Sequence, residues 1–496
     1  MTDFLDNSHR SNSFFEDDLF QILNNELDPA NPDNFNNNNH DNNVQESRSK
    51  SPEELNIKWK KPFYHVLIFG VCFFFLRSTF LTPSYMTPQI FEFEHYDNLG
   101  QIEIMFIYGF YGISSLFHTT LLQRLPLKFC LILGGLSFPI FNLASFYAMH
   151  CVDNMSPYCQ YSLVYAINIL CSMITGSLMG LLWTVQSEFV SMIAPVEKIG
   201  LFMGVFYAFA QGSQLLSTIL SLVLLLNVSR KNYYFILFCI GVFFIIGLLF
   251  VPVKKRQKVN FLQEGSLITQ EKKIKTKTLI SNFRAILNLL KLKRIRLVSI
   301  FWMSTGLIVA FYSAFFYTII KETLYNPTDS TQSFPNEEKD FIVKKASYVF
   351  LLFGFSEVFG GLFSIYLIHR FPIYICALFG LSMLEISVFI TYQAHYNYNY
   401  SICFVAAFFW GFSDCLIRSL SNVLCKNEIK KKNGMAGFSL YRLFFGFGAI
   451  LVVSFGIILK ENKGFFLFGV FAMQMLAVFS IGCLLWDEKD PKQLIK

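Results

Sequence analysis

Charged residues are scarce in this sequence. Asp, Glu, Lys and Arg together make up 15% of its 496 residues, whereas they make up about a quarter of an ordinary soluble domain. Hydrophobic residues reach 53%, and phenylalanine alone occurs 59 times. The hydrophobic residues fall in runs of about 20 residues, which is the length that a helix needs to cross a hydrocarbon core. Because a water-soluble fold cannot bury so many such runs, we expect a protein of the lipid bilayer.

The sequence also has no motif of an enzyme site. It contains no Walker-type phosphate loop, no HExxH or GxSxG element and no paired His and Cys at metal-ligand spacing. We therefore expect no enzymatic activity, no metal and no cofactor, and we expect ATP-driven transport only if a separate subunit supplies the ATPase. The net charge of +7 comes from basic residues beside the apolar runs, which favours contact with lipid headgroups and not with nucleic acid.

Twelve apolar windows predict an all-α polytopic membrane protein with twelve transmembrane helices in two six-helix halves. The windows lie near residues 63–82, 102–122, 127–149, 161–187, 200–226, 233–252, 297–320, 346–368, 372–393, 401–424, 435–458 and 464–486. The predicted domains are a disordered, Asn-rich cytosolic tail at 1–56, an N-terminal bundle at 57–252, a basic connector at 253–296, a C-terminal bundle at 297–486 and a cytosolic tail at 487–496.

Lysine and arginine in the short loops predict the orientation of the chain. Lys58 and Lys60 precede the first window, and Lys430 and Lys431 follow the tenth. The segment 83–101, which we interpret as the first external loop, contains neither residue type. Both termini should therefore face the cytosol, in the plasma membrane or an endolysosomal membrane.

The connector contains one amphipathic segment. Leu279, Phe283, Ile286, Leu287 and Leu290 keep the spacing of one helical face. This pattern predicts a helix that lies on anionic lipid, and a helix packed on the bundle is the alternative.

Most of the eleven cysteines lie in apolar runs, where we interpret them as packing residues. Cys151 and Cys159 differ because they flank a short loop that we place on the non-cytosolic side. A disulfide can persist in that compartment. The sequence leaves open whether the two are bridged.

The two halves carry a trace of internal repetition. The loop after the second window and the loop after the eighth share Arg, Pro, Cys and Gly at the same offsets. These residues are Arg124, Pro126, Cys130 and Gly134 in the first half and Arg370, Pro372, Cys376 and Gly380 in the second. Parallel six-span halves of this kind are typical of major facilitator transporters, whose substrate sites lie between the halves.

A few ionisable residues are predicted at membrane depth, where each costs about 2.5–3.5 kcal/mol on insertion scales and usually faces a cavity or a partner. They are Arg77, Glu357, Glu385, Asp414, Arg418 and Arg442. Asp414 and Arg418 lie four residues apart and can pair on one helix face. With Arg442 they form our predicted structural ion-pair set, and a role in proton or substrate coupling is the alternative.

The other charged residues are candidates for substrate or proton coupling. Glu357 is the strongest of them, because no basic residue lies within one turn of it in the sequence. Glu385 can face water or pair across helices. Arg77 either holds the N-terminal half together or meets an anionic ligand.

The fourth and fifth windows carry amides that must find partners inside the bundle. Gln186 lies in the fourth window, and Gln211 and Gln214 lie in the fifth. Such amides either join helices or line a cavity.

These two windows and the tenth and eleventh resemble the Unc-ninety-three-like family of the major facilitator superfamily, also called the ion-channel-regulatory-protein family. Its fourth-span and fifth-span patterns are matched by Gly180, Leu182, Trp183, Thr184, Gln186, Ser187 and Phe189, and by Phe202, Gly204, Phe206, Ser213 and Gln214. Its later motifs are matched by Gly411, Asp414, Phe438 and Arg442. Two positions depart from the family, which has glycine where this chain has Ser187–Glu188 and Gly-Asn where it has Ser217–Thr218.

The resemblance implies twelve spans and relatives that include channel-regulatory and receptor-trafficking subunits as well as transporter-like members. Two functions follow. A transporter of a small solute, with or without a proton, predicts a polar cavity near Arg77, Gln211, Gln214 and Glu357. A regulatory or trafficking subunit predicts a closed core and a stable complex with another membrane protein, such as an ion channel or a receptor.

Overall fold

The computed structural model describes residues 52–152, 154, 156–194, 199–251, 279–324, 336–429 and 434–488. These residues form sixteen α-helices and no strand. The helices are α1 (Pro52–Ser78), α2 (Leu81–Phe93), α3 (Leu99–Arg124), α4 (Leu127–Gly135), α5 (Ser137–His150), α6 (Tyr161–Ile193), α7 (Ile199–Asn227), α8 (Arg230–Phe250), α9 (Leu279–Leu290), α10 (Lys293–Phe311), α11 (Tyr317–Leu324), α12 (Asn336–Arg370), α13 (Ile373–Tyr396), α14 (Tyr400–Glu428), α15 (Gly434–Ile458) and α16 (Lys463–Glu488). A π-helical segment, Tyr312–Phe316, joins α10 to α11.

Eleven of the predicted spans, within the described residues, are long and apolar enough to cross a membrane by length and composition. The other predicted span, the second, is α3. It has 26 residues, which extend about 39 Å at about 1.5 Å per residue and exceed a hydrocarbon core of about 30 Å. Its sequence is less apolar because it carries Gln101, Glu103 and His118, all of which are buried against other helices. The fold is therefore the expected all-α polytopic one.

The first span is longer than predicted, and the assignment of 83–101 as a loop was wrong. Residues 81–93 form α2, and nearly all of its side chains are buried. Pro83 has no N–H to donate to the Thr79 carbonyl, which instead accepts a hydrogen bond from Asn142 Nδ2 at 2.9 Å. At the same break the Thr82 N–H donates to Ser217 Oγ at 2.8 Å. Side chains of neighbouring spans therefore satisfy the backbone where the helix is interrupted.

The predicted domain boundaries differ from the structure only slightly. Helix α1 already begins at Pro52, so residues 52–56 are helical although we had assigned them to the disordered tail. In the connector, α9 forms where the amphipathic pattern predicted a helix. Ile286 and Leu289 are buried while Leu287 is exposed, and the helix packs against α3, α10 and α15. Residues 1–51, 252–278 and 489–496 lie outside the described residues.

The repeated loops have the same geometry in both halves. Pro126 and Pro372 precede the first residues of α4 and α13 with nearly the same backbone angles. The N–H of Cys130 and that of Cys376 each donate to the carbonyl of the preceding proline at 3.1 Å. Each pair of residues therefore occupies an equivalent place at the start of the third and ninth spans.

Two pairs of helices make the most extensive contacts between the halves. Helix α3 packs against α15, and α7 packs against α12. Ser115 Oγ donates to the Ser439 carbonyl at 2.9 Å, and Ser439 Oγ donates to the Ser115 carbonyl at 3.0 Å. Gly354 of α12 lies directly against Gln214 of α7. The pairs are the second span with the eleventh and the fifth with the eighth, which the two-fold repeat exchanges.

We name the two ends of the bundle by their loops. The odd-loop face carries the loops after the first, third and later odd spans, and the even-loop face carries the others. Cys151 and Cys159 are joined by a disulfide in the loop after the third span, which places this bond on the odd-loop face.

Candidate functional site

Arg77 is held at the break of the first span. It is the penultimate residue of α1 and is 3% exposed. Its Nη1 donates to the Ala210 carbonyl, to Gln211 Oε1 at 3.2 Å and to Ser213 Oγ at 3.4 Å, all on α7. Its guanidinium lies over the Trp183 indole at 5.4 Å. Among the described residues, Nε and Nη2 of Arg77 have no hydrogen-bond partner.

In the C-terminal half, Asp414 and Arg418 form a bidentate pair. Asp414 is the middle residue of α14 and is fully buried. Arg418 Nε donates to Asp414 Oδ1 at 2.8 Å, and Nη2 donates to Oδ2. Tyr312, at the start of the π-helical segment, accepts from Arg418 Nη2 and donates to Asp414 Oδ2 at 3.3 Å. The interruption of the seventh span therefore brings the Tyr312 hydroxyl onto this pair.

Glu357 has no basic residue within one turn of its own helix, but Arg418 of a neighbouring helix lies close to it. Its Oε1 lies 3.8 Å from Arg418 Nη2, because α12 packs along α14. Glu357 is 1% exposed, and neither of its carboxylate oxygens has a hydrogen bond within the described part of the chain. Arg418 therefore interacts unequally with its neighbours, because it donates hydrogen bonds to Asp414 and Tyr312 but forms only an ion pair with Glu357.

The predicted amides occupy two different places. Gln211 contacts Arg77, and Gln214 Nε2 donates to Thr82 Oγ1 at 3.3 Å and Thr218 Oγ1 at 3.4 Å. Gln186 is fully buried, and its Oε1 accepts from the Ser187 hydroxyl at 3.2 Å. Gln211 and Gln214 therefore belong with Arg77 at the contact between the first and fifth spans, and the structure records no contact of Gln186 with them.

Two predicted residues lie outside this cluster. Arg442 does not join Asp414 and Arg418, because α15 places it against the N-terminal half, where its Nη1 donates to Thr184 Oγ1. Glu385 lies on α13, and its two carboxylate oxygens have no hydrogen-bond partner among the residues described. The predicted ion-pair set therefore reduces to Asp414 and Arg418.

Glu103, His118 and Gln89 are among the buried polar residues that the sequence analysis did not single out. Glu103 in α3 is 1% exposed, and neither oxygen has a hydrogen bond in the described ranges. His118 Nε2 lies 3.1 Å from the Ser177 carbonyl, and Gln89 is fully buried in α2. Glu103 and His118 lie inside the second window and could have been found by counting every ionisable residue there. Gln89 was hidden by the assignment of α2 as a loop.

Contacts between the halves lie on both sides of the central cluster. Towards the odd-loop face, Lys321 Nζ of α11 lies 3.5 Å from Glu92 Oε1 of α2. Towards the even-loop face are the serine pair of α3 and α15 and the bond from Arg442 to Thr184. Between them, the Tyr85 ring of α2 packs edge-on against Tyr312 at 5.2 Å. The charged groups are therefore enclosed at the interface of the two halves.

Comparison with known proteins agrees with this architecture. The sequence pattern of the Major Facilitator Superfamily matches residues 112–453. The chain belongs to the major facilitator superfamily. Two solved structures have a similar fold. A nucleoside transporter, NupG, is 15% identical, with a TM-score of 0.59 over 86% of this chain and 99% of that one. A D-xylose-proton symporter is 11% identical, with a TM-score of 0.59 over 84% of this chain and 95% of that one.

Membership of this superfamily makes the chain a multi-pass integral membrane protein. In such folds, substrate and coupling-ion sites lie near the bilayer midplane, where the two halves meet at interrupted helices. Arg77 lies at such an interruption in the first span, and Tyr312 lies at one in the seventh. These are the residues around which the charged cluster is assembled.

Proposed function

We propose that this protein is a transporter of a small solute, in the Unc-ninety-three-like branch of the superfamily, and that it performs no enzymatic step. The observation that carries the proposal is the enclosed cluster to which both halves contribute, Arg77 from the first span and Asp414, Arg418 and Glu357 from the second half. Charges are retained at membrane depth where they serve an ion or substrate pathway. The names of the two similar structures, a nucleoside transporter and a D-xylose-proton symporter, support the same class.

The placement of the contacts between the halves supports alternating access. Opening towards the odd-loop face requires Lys321 to leave Glu92, while the serine pair of Ser115 and Ser439 stays closed. Opening towards the even-loop face requires the reverse. The basic residues near the first and tenth spans favour a cytosolic even-loop face. Both termini then face the cytosol, and the membrane is the plasma membrane or an endolysosomal one.

The test of this function is uptake by the purified full-length protein in proteoliposomes. A panel of labelled sugars, nucleosides, amino acids and organic acids is offered with and without an inward proton gradient. We expect at least one solute to accumulate above protein-free vesicles and Glu357→Gln to abolish its dependence on the gradient. Glu385→Gln, which removes a buried carboxylate outside the cluster, is the matched control and should leave that dependence intact.

A regulatory subunit of another membrane protein is the competing function, and the same preparation distinguishes it. Absence of uptake for every solute, together with co-purification of a stoichiometric channel or receptor from native membranes, would replace the transporter proposal by the regulatory one.

A further inference from the structure

The two central arginines, Arg77 and Arg418, differ in whether the Nε–Nη2 edge of the guanidinium group is occupied. Nε and Nη2 form the side-on fork that matches the two oxygens of a carboxylate. In Arg418 this fork is filled, because Nε and Nη2 donate to Oδ1 and Oδ2 of Asp414. In Arg77 only Nη1 is used, by Ala210, Gln211 and Ser213. The fork of Arg77 has no hydrogen-bond partner among the described residues, since the recorded bonds of this side chain all come from Nη1.

We propose that the fork of Arg77 binds the carboxylate of a small organic anion, and that one proton binds with it at Glu357. This inference rests on the transport function proposed above and names its substrate class. The proton comes from water on the side to which the site is open. It is released from Glu357 to water on the opposite side when the anion leaves.

Charge balance couples the two binding events. Arg77 interacts electrostatically with both Arg418 and Glu357, so the cluster contains two positive and two negative groups when all are ionised. An added anion leaves an uncompensated negative charge, which is costly in a medium of low dielectric constant. A proton on Glu357 removes one negative charge, and the anion then restores neutrality. Neither ligand binds well without the other.

Glu357 is the carboxylate that can accept this proton at the smaller structural cost. Asp414 would lose its bidentate bonds to Arg418, whereas Glu357 has no hydrogen bond to lose within the described structure. The titratable and charged groups that face Glu357 are Asp414, Cys415 and Arg418 from α14, Tyr312 from the π-helical segment, and Arg77 and Tyr85 from the first span. From α7 the neighbour is the amide Gln214, against Gly354, and from α11 Tyr317 stacks on Phe350, two turns away.

The test compares small carboxylates with their own amides. Acetate, lactate and benzoate are paired with acetamide, lactamide and benzamide, and binding to the full-length protein in detergent is measured by thermal stabilisation. We expect the carboxylates and not the amides to stabilise the protein. Their apparent affinity should rise as the pH falls from about 7.5 to about 5.5, by up to about tenfold per pH unit, the limit for uptake of one proton.

Two variants separate the roles. Arg77→Gln should abolish the response to carboxylates, while Glu357→Gln should keep it and remove its pH dependence, because the amide imitates the protonated acid. Glu385→Gln should behave as the parent protein. If Arg77→Gln does not fold, Glu357→Gln still tests the coupled proton, and the comparison of carboxylates with amides still tests the anion site.

Equal stabilisation by acids and amides would overturn the inference, as would an unchanged pH dependence in Glu357→Gln. Uptake of a neutral sugar or nucleoside without any carboxylate binding would refute the anion site and leave the transport function standing. Absence of uptake for every solute, with carboxylate binding retained, would refute transport alone.

Discussion

At the scale of single residues, two carboxylates at the same arginine have different surroundings. Asp414 is fully buried and is joined to Arg418 by two hydrogen bonds. Glu357 is as deeply buried but lies 3.8 Å from Arg418 without a hydrogen bond. Asp414 therefore has the contacts expected of a structural residue, and Glu357 is the carboxylate that we propose is protonated during transport.

This difference predicts unequal losses of stability. Asp414→Asn removes the partner of a mostly buried guanidinium and should lower the free energy of unfolding by about 3–5 kcal/mol. Glu357→Gln loses only a longer ion pair and should lower it by about 1 kcal/mol. Apparent melting temperatures of the two variants in the same detergent measure the order. Equal losses would show that the two carboxylates share the structural role.

Pairing along one helix was readable from the sequence, and pairing between helices was not. The spacing of Asp414 and Arg418 predicted their contact, because side chains four residues apart share a helix face. The approach of Arg418 to Glu357 depends on how α12 packs on α14, and the contact of Arg442 with Thr184 depends on how the halves meet. No local pattern contains that information.

At the scale of helices, interruptions position the candidate site residues. The first span breaks before Pro83, and the seventh span carries the π-helical segment at Tyr312. The sequence showed the apolar character of both spans. It did not show that the first continues to residue 93, because the polar side chains of α2 point into the bundle and lower its hydropathy.

Close helix packing predicts a sharp difference between two glycines. A methyl group on Gly306 of α10 would lie 1.7 Å from the Phe445 carbonyl oxygen of α15, whereas one on Gly482 of α16 would meet nothing within 4 Å. Gly306→Ala must separate two helices and should cost about 1–3 kcal/mol or more. Gly482→Ala should be neutral or stabilising, by up to about 1 kcal/mol. Melting temperatures of the two purified variants check this, and similar values would contradict the packing described.

At the scale of the whole molecule, the helical spans and their division into two halves could be predicted from the sequence. Lipid permits a spanning segment only if its backbone bonds are made internally, so long apolar runs can be read as helices. The repeated Arg, Pro, Cys and Gly positions predicted equivalent loops, and Pro126 and Pro372 begin equivalent spans. The arrangement of one half against the other depends on long-range packing. Only the structure shows that α3 packs against α15 and that α7 packs against α12.

The proposed transport function requires the halves to separate alternately around the charged cluster for a solute to cross. Ser115 and Ser439 face each other on the even-loop side, and Glu92 and Lys321 do so on the odd-loop side. Cysteine pairs at either place can be joined by an oxidant and released by a reductant, and the parent protein with its own free cysteines is the control.

Uptake by Ser115→Cys/Ser439→Cys and by Glu92→Cys/Lys321→Cys in proteoliposomes, measured before oxidation, after oxidation and after reduction, tests this requirement. We expect either cross-link to reduce uptake to the level of protein-free vesicles, and reduction to restore it. Undiminished uptake by fully cross-linked protein would contradict the account.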